Sequence, residues 1–502
     1  MLYDLNTIQV DPFNDKIYDV CIVGGGMAGI TLALYLKKSF NILLLEGGGL
    51  EYSEESQSVY EGTQKGFDTS YSLKNRGGRW LGGSSHLWAG RCHPYVPSDF
   101  EKRDYIKYSG WPITKKDLDP YEEETKSILD LPTPDKQKFY KGWTDILEKP
   151  DEYFKAIKFL YSRPPTNFKT KYLSTLKNRS NIHCYVNANL TDIKLSHDLS
   201  NVEEIEVKNY RQKTFKAQAK VCILATGGIE NARLLLNFNK QYKKGIGNEN
   251  DLVGRFFSDH PHSHVGYFIM EDKSANAFDG EEQPTDMLYA GSVLVPTEKF
   301  QKKEQLESLG LHIRPNASVF SRSRKFKDKI KDILCSVEWT KSITDIKCEH
   351  YNGSLVILQE QEPNPKSRVT LESNTDIFGH KRAVLDWQFV EKDMLSCKNV
   401  LIPFSKKFTG SDLGRIKIDD WLLKKEIKYD TQHTSGGYHL MGTTRMATSE
   451  KEGVVDSNLK IFGINNLYIA GSSVFPTGGS MNPTFAIIQT TLRLAKYLNK
   501  TV

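Results

Sequence analysis

Residues 18–23 read YDVCIV, a short run in which polar positions give way to apolar and β-branched ones. Bounded by turn residues, such a run predicts a strand buried on both faces. Glycines follow at once, in the order Gly24, Gly25, Gly26, Met27, Ala28, Gly29. Beyond them Ile30, Ala33 and Leu34 recur at helical spacing. A second apolar run, 41–45, ends in the acid Glu46. The amino-terminal segment is therefore expected to be strand, glycine turn, helix, strand. Residues 50–110 are rich in glycine, serine and aromatics and read as long loops, which usually carry function in a compact domain. Residues 115–175 read as mainly helical, opened by Thr114 as a cap. Strand patterns return over 181–226, with 201–210 and 214–226 expected as a hairpin feeding a final parallel strand. Residues 271–430 mix both signals. The chain closes with glycine-rich turns, a strand at 467–470 and a terminal helix. There is no repeat of about 20–50 residues.

Composition narrows the classes. The chain has 502 residues, 38% hydrophobic, 11% aromatic and 26% charged, which excludes a wholly disordered chain. No stretch reaches the ~18 apolar residues of a spanning helix, so membrane insertion is not expected. The net charge is +6, from 68 basic and 62 acidic residues. That bias is weak and carries no long basic run, so nucleic-acid binding is not expected; Arg322, Ser323, Arg324 and Lys325 read as a solvated face. The seven cysteines are scattered without a C-x-x-C, a pattern suited to a reducing compartment. Cys21 and Cys222 fall in apolar runs and are expected in the core. The amino-terminal segment lacks the basic and apolar regions of a signal peptide. A cytoplasmic location is expected.

The glycines carry the first chemistry. Gly24, Gly26 and Gly29 form a G-x-G-x-x-G that follows a strand and opens a helix, the context that the dinucleotide-binding mechanism requires. Gly24 would permit the tight turn, Gly26 the approach of a pyrophosphate, and Gly29 close helix–strand packing. Phosphate charge would sit at the helix amino terminus. Glu46, twenty residues past Gly26, would accept from ribose hydroxyls. An ordinary βαβ unit with a glycine-rich turn is the bland alternative. The motif alone does not separate FAD from NAD.

Further strings separate them. A loop with four glycines, RGGRWLGGSSHLW, spans 76–88. ATGGIENARLLL (225–236), VGRFFSDHP (253–261), YHLMGTTRM (438–446), GSSVFP (471–476) and SMNPT (480–484) follow. With these the sequence resembles the glucose-methanol-choline (GMC) family of FAD-dependent oxidoreductases, in the bacterial branch akin to pyranose oxidase and sugar dehydrogenases. Residues 271–430 match the family poorly. The resemblance implies an α/β fold: a Rossmann-like FAD-binding domain, of the type shared with p-hydroxybenzoate hydroxylase, interleaved with an α+β substrate domain whose sheet lies over the flavin. The expected division is 1–110, 180–270 and 430–502 for FAD, and 111–179 and 271–429 for substrate.

Residue by residue, the resemblance implies that Gly24, Gly26, Met27, Ala28, Gly29 and Glu46 hold the ADP half. Gly82, Gly83, Ser84 and Ser85 would face the pyrophosphate and flavin. Val186 would meet adenine through its backbone, Gly471 would lie near the ribityl chain, and Asn482, Pro483 and Thr484 near the flavin pyrimidine. Independently, Asn482 suits a helix cap and Pro483 a first helical position, which would aim the positive end of the last helix at the flavin. Some family members bind FAD covalently through a histidine in the glycine loop, which in the pyranose-oxidase pattern lies four positions past the second glycine. Here that position is Leu87, with His86 one residue short, so noncovalent FAD is expected.

Oxidising an alcohol requires a base for the hydroxyl proton and an acceptor for the hydride. Of twelve histidines, His439 matches the family's catalytic base and Asn482 its partner, which would hold the substrate oxygen without taking the proton. His433 is a candidate supporting group. His260, His262 and His264 alternate as metal ligands on one strand face could, but no acid or cysteine cluster accompanies them and metal is not expected. Trp88 and Tyr95 could stack on a sugar or belong to the core. The expected activity is FAD-dependent oxidation of a CH–OH group of a sugar, glycoside or polyol. Oxygen, a quinone or a redox protein would be the electron acceptor, and the protein could be a homo-oligomer. An NAD(P)H-linked reductase or hydroxylase would need a second nucleotide motif, which is not found. A non-catalytic flavoprotein subunit would not need a base at 439.

Overall fold

The computed structural model describes residues 1–67, 72–132, 152–270, 292–315, 351–410, 414–429 and 431–502. The stretch 322–325, Cys335 and Cys348 lie outside them. Ile17–Val23 is the strand expected near 18–23, and Val20, Cys21 and Ile22 are fully buried. It runs parallel to Ile42–Leu45 on one side and to Thr214–Leu224 on the other. Ile182–Val186 and then Leu2–Asp4 extend the sheet in parallel, while Leu467–Ile469 pairs in parallel with Thr214–Leu224. Val202–Lys208 returns antiparallel as the expected hairpin and Asn189–Leu195 completes eight strands. A side chain such as Leu43 or Ile22, once fully buried, contributes roughly 1.5–3 kcal/mol, which holds the register.

Helix Met27–Tyr35 begins immediately after the glycine turn, three residues before the periodic apolar positions. Gly29 allows this start, because a Cβ there would overlap the carbonyl of Gly24. The helix packs on the terminal helix Thr484–Thr501. Cys21 and Cys222 are buried beside one another in register and unbonded.

A second sheet is antiparallel throughout, in the order Gly414–Ile418, His262–Met270, Tyr351–Gln359, Leu309–Pro315, Ser292–Pro296, Phe154–Lys158, with Thr434–Ser435 also pairing with His262–Met270. Residues 154–158, expected as helix, are a strand: Phe154 and Ala156 face one core while Ile157 faces the other, an alternation that only an extended segment between two cores satisfies. Strand His262–Met270, expected with the FAD-binding segments, belongs to this sheet. A three-stranded sheet of Arg368–Thr375, Lys381–Trp387 and Gly62–Gly66 ties the early loops to the later chain. Among the described residues no helix is long and apolar enough to cross a membrane.

Candidate active site

The strand ends, the glycine loops and the second sheet converge on a cavity of about 730 Å³, within the ~300–1,000 Å³ range of cofactor and ligand sites. Gly24, Gly26, Met27 and Ala28 form part of its wall. Gly24 takes φ +110°, and a Cβ there would strike the Ala225 carbonyl, so the turn tolerates no side chain. The second glycine loop lies against the first: the Gly82 N–H donates to the Gly25 carbonyl at 2.8 Å, and a Cβ on Gly83 would press on Gly26. The amino ends of two helices, at Met27 and at Pro483–Thr484, open into the cavity, where their unpaired N–H groups favour anions.

Glu46 also lines this space. Its Oε2 accepts from the Gly25 N–H at 2.8 Å and its Oε1 from the Gly48 N–H at 2.7 Å. A carboxylate has about four acceptor sites, so acceptor capacity remains for a ligand. Burial raises its pKa, against the pull of Gly48, Arg79 and Gly25. Arg79 lies across Gly47 and donates to Ser56, Tyr210 and Asn189.

His439 stands on the same cavity. Its Nε2 is 3.0 Å from Asn482 Nδ2, and its Nδ1 is 2.7 Å from Nδ1 of His260. Its backbone N–H donates to Asp259 Oδ1 at 2.7 Å and that of Tyr438 to Asp259 Oδ2 at 3.1 Å. Tyr438 adopts φ +61°, a left-handed conformation uncommon outside glycine. Asp259, fully buried and 3.8 Å from Arg76 Nη1, thus anchors a strained turn that presents His439. Burial above all, then His260, His262 and Arg91, hold the His439 pKa well below its ordinary value. His439 is neutral near pH 7.

Of the residues singled out from sequence, Gly83, Ser84, Gly471, Asn482, Pro483 and Thr484 also reach the cavity. Gly29 and Gly82 lie behind its wall and shape it. Two positions are corrected. Ser85 turns inward, donating to the Gly82 carbonyl at 2.7 Å and accepting from the Phe168 N–H at 3.0 Å. Val186 is a strand residue paired with Asp4; the wall is made instead by Ala188, Asn189 and Leu190, after the chain turns at Asn187 (φ +56°). The cap is also corrected. The last helix begins at Thr484 with Pro483 as its cap residue, because the Asn482 amide turns to His439. His86 points away from the cavity, with Leu81 O and Asn167 Nδ2 each 2.8 Å from its ring nitrogens, whereas Leu87 lines it. Trp88 lines the cavity, while Tyr95 is core, packed on Phe100, Trp111 and Phe475. His433 serves the second sheet, its carbonyl accepting from the His264 N–H. His264 bonds Asp419 at 2.6 Å, and no metal-ligand cluster occurs among the described residues. Asp259, Arg76 and Arg79 were not singled out individually, although the strings 76–88 and 253–261 contain them, and His260 was considered only as a metal ligand.

The comparisons place this fold and cavity among the oxidoreductases. The family model for GMC oxidoreductases matches residues 363–491. The 2-methyl-1,2-propanediol dehydrogenase of Mycolicibacterium austroafricanum is 21% identical over 96% of this chain and 95% of its own length. The 6'''-hydroxyparomomycin C oxidase of Streptomyces lividus is 21% identical over 96% and 91%. Pyridoxine 4-oxidase from Mesorbium loti shares the fold, with a TM-score of 0.60 and 16% identity over 96% of this chain and 99% of that one. Over residues 363–491 the chain is similar to the GMC oxidoreductases, and the relatives it matches along its length are a dehydrogenase and an oxidase.

Proposed function

We propose that the protein oxidises the CH–OH group of a small sugar, glycoside or polyol, with FAD held noncovalently and His439 as the base. The observation that carries this reading is the pairing of His439 Nε2 with Asn482 Nδ2 on the wall of a cavity that also holds a dinucleotide turn. The residues present suit FAD: a glycine cradle that a Cβ would fill, a helix amino end at Met27 for the pyrophosphate and another at Thr484 for the flavin ring, and Glu46 with free acceptor capacity for a ribose. Bound there, FAD supplies the hydride acceptor. Asn482 Nδ2 donates to the substrate oxygen and holds it beside His439, and His439 Nε2 takes the hydroxyl proton. Burial keeps His439 unprotonated and ready to accept. The engagement of both His86 nitrogens supports noncovalent attachment. A dehydrogenase acting on a diol and an oxidase of a glycoside among the relatives support alcohols of this class.

The test is anaerobic mixing of the holoprotein with a panel of sugars, polyols and simple alcohols, following loss of visible flavin absorbance, and then admission of oxygen or a quinone. Bleaching by at least one polyhydroxy alcohol is expected. Bleaching by NADH or NADPH and by no alcohol would overturn the reading.

A further inference from the structure

His260 Nε2 lies 2.8 Å from the Gly479 carbonyl oxygen and 3.2 Å from that of Gly478. Carbonyl oxygens only accept, so this nitrogen carries a hydrogen. Burial lowers the pKa of His260, so the ring is neutral and its Nδ1 is bare. A bare nitrogen can only accept. The 2.7 Å contact between the two Nδ1 atoms therefore places the hydrogen of His439 on its Nδ1 and leaves its Nε2 bare. Nε2 is the atom that meets Asn482 and the cavity.

We propose that His260 is the positioning residue of this site: by accepting from His439 Nδ1–H it keeps His439 in the tautomer whose Nε2 can take a hydroxyl proton, and it stabilises the imidazolium that results. The inference rests on the proton-abstraction reading above. Without His260 the opposite tautomer has a partner ready, because Asn482 Oδ1 is buried with no hydrogen-bond partner. A turned amide would let that oxygen accept from His439 Nε2–H, and the base would be lost. In the proton transfer the substrate O–H bond breaks and an N–H bond forms at Nε2. His439 then carries two hydrogens and one positive charge. Its Nδ1–H bond to His260 becomes charge-assisted, roughly twice as strong as a neutral one, so its contribution grows in the transition state. Asp259 and Glu360 are the charged groups facing His260; His439 faces the charged Arg91 and the titratable His262, whose pKa burial lowers to about 3.

The test compares His260→Ala with His260→Gln in the FAD-loaded protein, using whichever panel alcohol bleaches the wild-type flavin. Glutamine retains an acceptor for His439 and a donor for Gly479; alanine retains neither. The alanine variant is expected to slow flavin reduction about 10- to 100-fold, the loss of one hydrogen bond to a charged group, with little change in substrate affinity. Glutamine is expected to restore most of the rate. Solid-state nitrogen spectra of histidine-labelled protein, with His439 identified by difference against His439→Gln, are expected to show a protonated Nδ1 and bare Nε2 in wild type and His260→Gln, and a mixture in His260→Ala. A hydrogen on Nε2 in the wild type, a glutamine variant as slow as alanine, or an alanine variant with wild-type rate and tautomer would each overturn the proposal. If no alcohol bleaches the wild-type flavin, the proposed function fails while the spectra still decide the tautomer.

Discussion

Replacing Glu46 by alanine removes the acceptor for two buried backbone donors, Gly25 and Gly48. A buried N–H left without a partner costs about 1–3 kcal/mol, so the pair costs roughly 2–6 kcal/mol. In the FAD-free protein water from the cavity can reach these groups, which places the expected loss near the low end, about 2–3 kcal/mol. The same substitution removes hydrogen bonds from the carboxylate to ribose, each worth about 1.5–3 kcal/mol, or ~10–100-fold in dissociation constant. Urea unfolding of the FAD-free protein and titration of FAD by fluorescence quenching separate the two effects. Both stability and affinity are expected to fall. An FAD-free variant as stable as wild type would show that the carboxylate does not tie the turn, and an unchanged FAD affinity would show that Glu46 is not a ribose ligand.

His439→Ala is expected to retain FAD but slow flavin reduction by about 10²–10⁴-fold. Because the folded pKa of His439 is depressed, the wild-type reductive rate should be flat through neutral pH and fall only in acid; Asn482→Ala should be slower yet keep that acid limb, and a wild-type rate still rising above pH ~7 would contradict the assignment. Acid precipitation should release FAD into the supernatant, since both nitrogens of His86 are engaged away from the cavity; flavin remaining on the precipitated chain would refute noncovalent binding. Glu307 and Asp393 form a buried acid pair, both with pKa values raised above all by burial, Asp393 to about 6 and Glu307 well above its ordinary value. Raised folded values mean that this stability is fully present below about pH 4 and is lost as pH rises through the folded values, so urea midpoints should decline with pH across that window in wild type and decline less in Glu307→Gln.

The glycine turn, its flanking strands and Glu46 were legible in the sequence because the pattern is local: a buried strand, a turn that excludes Cβ atoms and a helix follow one another within a few residues. The catalytic candidates His439 and Asn482 were legible through family strings, not through spacing, since 43 positions separate them. What lies between sequence and site was decided in three dimensions. Whether 154–158 became helix or strand depended on two cores meeting it from opposite sides. Val186 yielded its place to Ala188, Asn189 and Leu190 because the chain turns at Asn187 before it reaches the cavity. Asn482 left the helix cap because His439 offered its amide a partner. The neighbours Asp259 and His260 join Gly479, 219 positions later, in one hydrogen-bonded frame around His439. Local pattern determines which segments can turn, extend and bury; the tertiary structure decides which donor meets which acceptor, because hydrogen bonds between remote residues depend on where the sheets bring them.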